Sequence, residues 1–195
     1  FEEFIKSIDA RVEAWRRKFE IDKDILNARP NRGHRAVEKL VRIGKVSAVI
    51  TQNIDGLHQQ SGIPDDQIIE LHGNGTYAGC LDCHKRFELG PIKIAFEEEG
   101  SLPQCDVCGG IVKTATISFG QPMPEIPMEL AKRQTLECDL FIAVGSSLVV
   151  YPAANFPVMA KKQGAKLIIL NREPTDLDPI ADLVLNREIG STLGE

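Results

Sequence analysis

Four of the five cysteines in the chain form two matched pairs, Cys80-x-x-Cys83 and Cys105-x-x-Cys108. Each pair can present two thiolates from one tight turn, and two such turns supply the four sulfur ligands of a tetrahedral zinc ion. Twenty-one residues lie between the pairs, about one more than is usual for zinc sites of this spacing. We therefore predict a structural zinc site, with two disulfides or four buried thiols as the alternatives.

Polar segments follow three stretches that have the composition of buried strands. Residues 46–51, 140–145 and 166–170 are short and mostly apolar, as in the strands of a parallel sheet. Ligands bind beyond the carboxyl ends of such strands, so chemistry is expected directly after each of them. The segments found there are Thr51-Gln-Asn-Ile-Asp-Gly-Leu-His58, Gly145-Ser-Ser-Leu148 and Asn171-Arg-Glu-Pro-Thr175. Turn residues after strands are common, but three polar segments at the strand ends of one sheet favour a binding site.

Helical patterns alternate with these strands. An apolar stripe with helical spacing runs through residues 4–19, a second helix is predicted to begin at Asn31, and two more are predicted near 125–136 and 152–163. Together with a shorter strand candidate at 182–185, this alternation predicts an α/β fold. We expect a Rossmann-like parallel sheet with helices on both faces.

The paired cysteines set the expected domain boundaries. We predict one Rossmann-like domain from residues 1–75 and 115–195, in which residues 1–29 are helical, and a zinc-ribbon insert at residues 76–114. The insert is too short to hold a hydrophobic core alone, so the metal is expected to stabilise it. The chain opens at Phe1 inside a helical pattern, and we expect its N-terminus to be truncated.

Composition and charge argue against several classes of function. The formal net charge is −5, and no long basic block provides a footprint for nucleic acid. No apolar run reaches the ~18 residues that a membrane span needs. Paired cysteines of the metal-binding type are typical of a reducing compartment, so a cytoplasmic protein is predicted. These features leave the oligomeric state open.

Taken in order, the motifs resemble those of the sirtuins, a family of NAD-dependent protein deacylases. The similarity extends from about residue 28 to the C-terminus. It is carried by Thr51–His58, Glu70-Leu-His-Gly73, the two cysteine pairs, Phe119-Gly120, Gly145-Ser-Ser147 and Asn171-x-Glu173-Pro174. The resemblance implies an NAD-dependent protein lysine deacetylase that converts acyl-lysine and NAD to lysine, nicotinamide and O-acyl-ADP-ribose. It also implies NAD as co-substrate, a structural zinc ion, and an acylated-lysine protein or peptide as partner.

The resemblance assigns catalysis to His72, which matches the catalytic histidine of the family. In that chemistry the acyl oxygen of the substrate lysine attacks C1′ of the nicotinamide ribose, and nicotinamide leaves. A base then helps a ribose hydroxyl attack the resulting imidate, and histidine suits this role because imidazole exchanges protons near neutral pH. Without the resemblance, a structural histidine in a turn beside Gly73 is an equally good interpretation.

The resemblance also assigns residues to each part of the cofactor and to the substrate. Asn53 and Asp55 match residues that hold the nicotinamide end, where a carboxamide needs both a donor and an acceptor, and Gln52 matches a position that contacts ribose. The other matches are to the adenosine side (Gly145, Ser146, Ser147), the adenine ribose (Asn171, Glu173) and the acyl-lysine peptide (Ile117, Phe119, Gly120). The alternatives are ordinary loops for the cofactor residues and a plain core strand at Ile117.

The chain departs from the family pattern at its start. The glycine-rich loop that cradles the pyrophosphate has no counterpart, and the G-x-G at Gly73-Asn-Gly75 follows no predicted strand. We therefore expect a fragment of a longer enzyme that lacks part of its cofactor site. Gln121 and Ser146 replace a glutamate and a threonine that are common in the family. The Tyr-x-x-Arg pair of desuccinylating members has no counterpart either, which favours neutral acyl groups, acetyl first.

Two alternatives to deacetylation stay open on the sequence alone. Reaction at the same C1′ would also serve a mono-ADP-ribosyltransferase or an NAD glycohydrolase. A non-catalytic zinc-ribbon module that binds protein partners is the other alternative. The combination of His72 with Asn53 and Asp55 argues against such a module, because a scaffold has no need of all three.

Overall fold

The computed structural model describes residues 1–25 and 27–194 of the chain. Its α-helices are α1 (Glu2–Lys6), α2 (Ile8–Ile25), α3 (Arg32–Arg42), α4 (Leu57–Gln60), α5 (Leu89–Glu99), α6 (Glu125–Glu137), α7 (Asn155–Lys162) and α8 (Ile189–Leu193). Its strands are β1 (Val49–Thr51), β2 (Ile68–Glu70), β3 (Gly73–Cys80), β4 (Arg86–Glu88), β5 (Val112–Thr116), β6 (Leu140–Val144), β7 (Lys166–Leu170) and β8 (Leu183–Leu185). Within the described ranges, every helix is too short or too polar to span a bilayer.

The chain forms two units, each assembled from segments that are separated in sequence. The ribbon unit comprises Phe1–Arg29, Asn53–Gly56 and His72–Pro124. The parallel-sheet unit comprises Pro30–Gln52, Leu57–Leu71 and Glu125–Glu195. This division differs from the sequence-based boundaries, which assigned the N-terminal helices and the Asn53–Gly56 segment to the Rossmann-like domain.

In the parallel-sheet unit every pair of strands is parallel, which confirms the predicted α/β class. β1 pairs with β2, while β6, β7 and β8 form a second sheet in that order. Ala143, Leu167 and Ile169 are buried in one cluster with Leu148. The apolar segment at β7 therefore lies in the core that its composition predicts, whereas β6 contributes Ala143 and leaves Leu140 and Ile142 exposed. The carboxyl ends of both strands carry the polar loops.

β1 is shorter than the sequence pattern predicts. The chain leaves α3 through Gly44, whose φ of 71° suits glycine. The amides of Lys45 and Val46 both donate to the carbonyl of Leu40 near the end of that helix. Because Val46 is held at the helix end, pairing with β2 begins only at Val49.

Asp182 ties the last two strands to α7. Its carboxylate accepts hydrogen bonds from the ammonium groups of Lys161 at 2.5 Å and Lys166 at 3.1 Å, and from the amide of Leu167 at 2.8 Å. The Lys161 ammonium, followed by the Leu167 amide and Lys166, holds the pKa of this carboxyl well below its usual range. β7, which carries the polar loop at Asn171, is thus fixed to the start of β8 and to a helix.

The ribbon unit is built on an antiparallel sheet with the strand order β4-β3-β5. Trp15 and Phe19 of α2 are 1% and 3% exposed, and their rings stack with centroids 5.5 Å apart. They share one buried cluster with Ala78, Cys80, Ile92, Cys105 and Val112. The C-terminal part of the helical stripe, Trp15 and Phe19, is therefore buried against the ribbon, whereas Ile5, Ile8 and Val12 of its N-terminal part are exposed. α2 thus supplies core that residues 76–114 cannot form alone.

Candidate functional site

The four paired cysteines converge in the ribbon unit. Their Sγ atoms all lie within 4.8 Å of one another, and Cys80 with Cys108 and Cys83 with Cys105 are each 3.5 Å apart. Zinc–sulfur bonds of about 2.3 Å give a tetrahedron with edges of ~3.8 Å, so the arrangement fits zinc. A disulfide needs about 2.05 Å between its sulfurs, and all five cysteines are free thiols. The geometry therefore supports a metal site over disulfides.

The two cysteine turns have the same backbone geometry. The amide of His84 donates to the carbonyl of Cys80 in the first turn, and the amide of Gly109 donates to the carbonyl of Cys105 in the second. The residue after each turn has a positive φ, 60° at His84 and 75° at Gly109. Cys80 and Cys105, which open the turns, are buried, and the two cysteines that close them are exposed. Two equivalent turns thus supply one buried and one exposed thiol each, which excludes four buried thiols.

The pKa values of these thiols are shifted in opposite directions. Burial opposes ionisation of Cys105, but hydrogen bonds from backbone amides, that of Cys108 first, outweigh it and lower its pKa to about 7. The Gly110 amide favours the thiolate of Cys108, but hydrogen bonds with the Cys80 thiol and its neighbours raise its pKa to about 12. Four thiolates this close together need a cation between them, and the predicted zinc ion would supply it.

His72 lies where the chain enters β3, beside the segment predicted to receive the substrate. Its carbonyl accepts a hydrogen bond from the amide of Ile117 at 2.8 Å. The neighbouring Gly73 pairs with Thr116 across the ladder between β3 and β5. His72 and Ile117 are half-buried, whereas Phe119 is 100% exposed. One backbone hydrogen bond therefore links the predicted catalytic residue to the predicted substrate segment.

The Asn53–Gly56 segment lies against the start of the same strand. The amide of Gly75 donates to the carbonyl of Ile54 at 2.7 Å. Ile54 stands between Asn53 and Asp55, of which the first is exposed and the second half-buried. Because Gly75 follows closely after His72, this contact brings the residues predicted for catalysis and for the nicotinamide end into one neighbourhood of the ribbon unit.

β3 is irregular directly after His72. The register of its ladder with β5 shifts between Gly73 and Ala78. Asn74 is buried at 4% exposure, and its Oδ1 accepts hydrogen bonds from the amide of Thr76 at 2.8 Å and from its hydroxyl at 2.6 Å. Such bulges redirect side chains and are common beside active sites.

Gly73 leaves no room for a side chain, and its replacement should disrupt this bulge. Its φ is 70°, and a Cβ at this position would lie 2.0 Å from the carbonyl oxygen of Ala115. That oxygen belongs to the backbone, so it cannot move aside as a side chain would. We expect Gly73→Ala to lower the free energy of unfolding by about 2–4 kcal/mol, as measured by denaturant titration.

Gly79→Ala is the matched control in the same strand. A Cβ at Gly79 would have its nearest neighbour 4.0 Å away, at the carbonyl oxygen of Lys85. We expect this variant to change the free energy of unfolding by no more than about 0.5 kcal/mol. Equal losses in the two variants would contradict the steric explanation at Gly73.

The residues predicted for the adenosine side lie at the carboxyl ends of neighbouring strands in the parallel-sheet unit. Gly145 follows β6 with a φ of 60°, and its amide donates to the carbonyl of Leu170 at the end of β7 at 2.9 Å. A Cβ at Gly145 would lie 2.8 Å from Cδ1 of Ile189, so glycine allows α8 to approach. Because β6 and β7 pair in register, the loops that begin at Gly145 and Asn171 are adjacent.

The side chains of these two loops are partly committed to local bonds. Ser146 accepts a hydrogen bond from the amide of Leu148 at 3.2 Å. The side-chain amide of Asn171 donates to the carbonyl of Glu173 at 2.8 Å. Glu173 and Ser147 are exposed, so their oxygens face solvent. Gln52, predicted to contact ribose, follows β1 in the same unit.

Lys113 is buried in the structure, although no sequence motif includes it. Lys113 lies in β5 with 4% exposure, and its ammonium donates to the carbonyls of Thr114 and Thr116. The signal available in the sequence was its place as the one charged residue between Ile111 and Ile117, since lysine is rarely buried without a specific partner.

Comparisons with known proteins give consistent similarities. Residues 2–152 match the family model described as Sir2 family. NAD-dependent protein deacetylase 1 of Bradyrhizobium diazoefficiens is 57% identical over 194 residues, which cover 100% of this chain and 76% of the relative. The NAD-dependent protein deacetylase of Rhodopseudomonas palustris is 56% identical over 194 residues, covering 100% of this chain and 77% of the relative. The solved structure of Sir2Tm bound to a propionylated peptide aligns with a TM-score of 0.88 at 35% identity, covering 98% of this chain and 78% of that chain.

Proposed function

The chain belongs to the Sir2 family, the sirtuins, and on that premise we propose that it is an NAD-dependent protein lysine deacetylase. The observation that carries this conclusion is the 57% identity, over the whole chain, to a relative named as an NAD-dependent protein deacetylase. The ribbon unit supports it independently, because His72, the Asn53–Gly56 segment and Ile117 meet there through backbone hydrogen bonds.

NAD supplies the electrophilic C1′ of its nicotinamide ribose and carries the acyl group away as O-acyl-ADP-ribose. The chain binds and orients both substrates and moves a proton. We assign the proton transfer to His72, whose imidazole accepts the proton of the attacking ribose hydroxyl. The hydrogen bond from Ile117 to its carbonyl fixes the backbone of this residue, which defines the point from which the side chain extends.

The nicotinamide end is assigned to Asn53 and Asp55. The amide of Asn53 and the carboxylate of Asp55 provide the donor and the acceptors that a carboxamide requires. The contact between Gly75 and Ile54 supports this assignment, because it holds the segment beside the strand that follows His72. Gln52, the preceding residue, is proposed to contact the nearby ribose.

The adenosine side is assigned to the two loops of the parallel-sheet unit. Gly145 has no side chain, so the protein backbone can approach the cofactor closely there. The hydroxyls of Ser146 and Ser147 can form hydrogen bonds with ribose oxygens. The carboxylate of Glu173 can accept both hydroxyls of the adenine ribose, as in other dinucleotide sites, with Asn171 beside it. The pairing of β6 with β7, which places the two loops side by side, supports this assignment.

The acyl-lysine peptide is assigned to the segment that follows β5, with Ile117, Phe119 and Gly120 as its contacts. This segment continues beyond β5, an edge strand of its sheet, past the carbonyls that Lys113 occupies. Extended peptides bind at sheet edges through backbone hydrogen bonds. Gly120 has a φ of 80°, which turns the chain at the end of this segment. We propose acetyl as the preferred acyl group.

The zinc ion is assigned to Cys80, Cys83, Cys105 and Cys108 in a structural role. Four thiolate ligands leave no open position for water or substrate. Two of these cysteines are buried in the same cluster as Trp15 and Phe19, so the metal would hold together the core of the ribbon unit. Neither nucleic acid nor membrane is expected as a partner, and the cytoplasm is the proposed location.

The proposed function is tested by incubating the full-length protein with NAD and an acetyl-lysine peptide. We expect nicotinamide, deacetylated peptide and O-acetyl-ADP-ribose in equal amounts. Peptide-independent free ADP-ribose would indicate an NAD glycohydrolase, and ADP-ribosylated protein would indicate a transferase. Absence of all NAD consumption would refute the enzymatic assignment.

A further inference from the structure

The peptide group between Thr116 and Ile117 is oriented by a hydrogen bond to His72, the residue proposed for catalysis. Its N–H donates to the carbonyl of His72 at 2.8 Å. A trans peptide directs its C=O away from its N–H, so the carbonyl of Thr116 points away from β3. Because β5 is an edge strand, the ladder offers this carbonyl no partner.

Lys113 provides the donor that the edge lacks. Its ammonium donates to the carbonyl of Thr116 and, at 3.2 Å, to that of Thr114. The side chain is 4% exposed, and its burial lowers its pKa to about 8. The amine therefore keeps its proton at pH 7, and both hydrogen bonds are assisted by its charge.

We propose that Lys113 is a positioning residue for His72, acting through the peptide group between Thr116 and Ile117. The contacts run from the Lys113 ammonium to the Thr116 carbonyl, and from the Ile117 amide to the His72 carbonyl. An ammonium beside the carbonyl oxygen of a peptide group polarises the whole group, so the N–H of that group becomes a stronger donor. This inference rests on the proposed function, because the position of His72 affects turnover only if His72 acts in catalysis.

The irregularity of β3 explains why His72 needs such support. The register shift between Gly73 and Ala78 interrupts the ladder directly after the catalytic residue. Regular pairing between β3 and β5 resumes only at Ala78, opposite Thr114. The hydrogen bond between Ile117 and His72 therefore holds the chain where it enters the bulge. Lys113 supports that hydrogen bond by binding the carbonyl of the same peptide group, on the side away from β3.

The experiment compares Lys113→Met, which removes the donor, with Lys113→Arg, which keeps a buried cation. Lys93→Met is the matched control, because Lys93 lies in the same unit on α5, and its ion pair with Glu97 is loose at 3.9 Å. For each variant, two rates are measured at pH 7. The first is the formation of deacetylated peptide, called lysine release below, and the second is the exchange of labelled nicotinamide into NAD. The hydrogen exchange of the Ile117 amide is measured by NMR in the same samples.

We expect Lys113→Met to lower lysine release by at least about tenfold. Nicotinamide exchange should fall less, because His72 acts after nicotinamide has left, so the ratio of exchange to release rises. A smaller folded fraction would lower both rates equally and leave that ratio unchanged. The Ile117 amide should exchange faster in Lys113→Met, while Lys113→Arg should restore release to within about threefold of wild type.

The inference is overturned if Lys113→Met matches Lys93→Met in both the ratio of rates and the exchange of the Ile117 amide. It is also overturned if Lys113→Arg is as impaired as Lys113→Met, since charge would then not be the cause. If Lys113→Met does not fold, Lys113→Gln is judged by the same criteria. A wild-type protein without lysine release would refute the proposed function instead, and amide exchange would still decide whether Lys113 holds the peptide group.

Discussion

Replacing His72 by alanine is expected to lower lysine deacetylation by about 10²–10⁴-fold while the protein remains folded. The reason is chemical: without the imidazole, no positioned base takes the proton of the attacking ribose hydroxyl. The loss should fall on kcat, because the side chain acts after both substrates have bound. Initial rates of nicotinamide and O-acetyl-ADP-ribose formation from NAD and an acetyl-lysine peptide measure the effect.

His84→Gly is the matched control for this experiment. It also removes an imidazole from the ribbon unit, and it does so at a φ of 60°, where glycine fits without strain. We expect its rates to stay within about threefold of wild type. Undiminished formation of O-acetyl-ADP-ribose in His72→Ala, with an unchanged circular dichroism spectrum, would end the catalytic assignment of His72.

Removing zinc is expected to unfold the ribbon unit, and the loss of activity should follow from that. Structural zinc sites of this kind contribute about 10 kcal/mol or more of apparent binding free energy, which is folding free energy. Two of the four predicted ligands, Cys80 and Cys105, belong to the buried cluster that also contains Trp15. Trp15 is the single tryptophan of the chain and is 1% exposed. Its emission should therefore shift to the red when a chelator strips the metal.

Two cysteine variants sharpen the zinc experiment. Cys105→Ala should lose stoichiometric zinc and show the red-shifted emission without chelator. Cys138→Ala should keep both zinc and activity, because Cys138 stands outside the four-cysteine cluster. A stripped protein that keeps its native emission and circular dichroism but loses turnover would instead place the metal in the chemistry.

The sequence predicts best those features that depend on local composition and spacing. The short apolar runs at β6 and β7 are sufficient to place two strands and the polar loops that follow them, since strands of a parallel sheet are rich in such residues. The paired cysteines are sufficient to identify the metal cluster, because four thiols at C-x-x-C spacing have few other uses. Both features come from short stretches of chain whose physical requirement is the same in any fold.

Features that depend on distant contacts escape such reasoning. The stripe in α2 shows that one face of the helix is buried, but it does not show that the face packs on the ribbon. β3 contains three glycines and has no alternating pattern, so only its partners make it a strand. The same holds for Lys113. Its ammonium binds the backbone carbonyls of Thr114 and Thr116, and the sequence does not show where backbone groups lie.

The chain passes between its two units five times, so neither unit corresponds to one continuous stretch of the gene. A ribbon excised from His72 to Pro124 would lack Trp15 and Phe19, and with them part of its interior. Exchanging this module between homologous enzymes would therefore require co-transfer of the N-terminal helices and of the tetrapeptide Asn53–Gly56. Chimeras cut only at the cysteine insert should express as aggregates, and recombination during evolution faces the same obstacle.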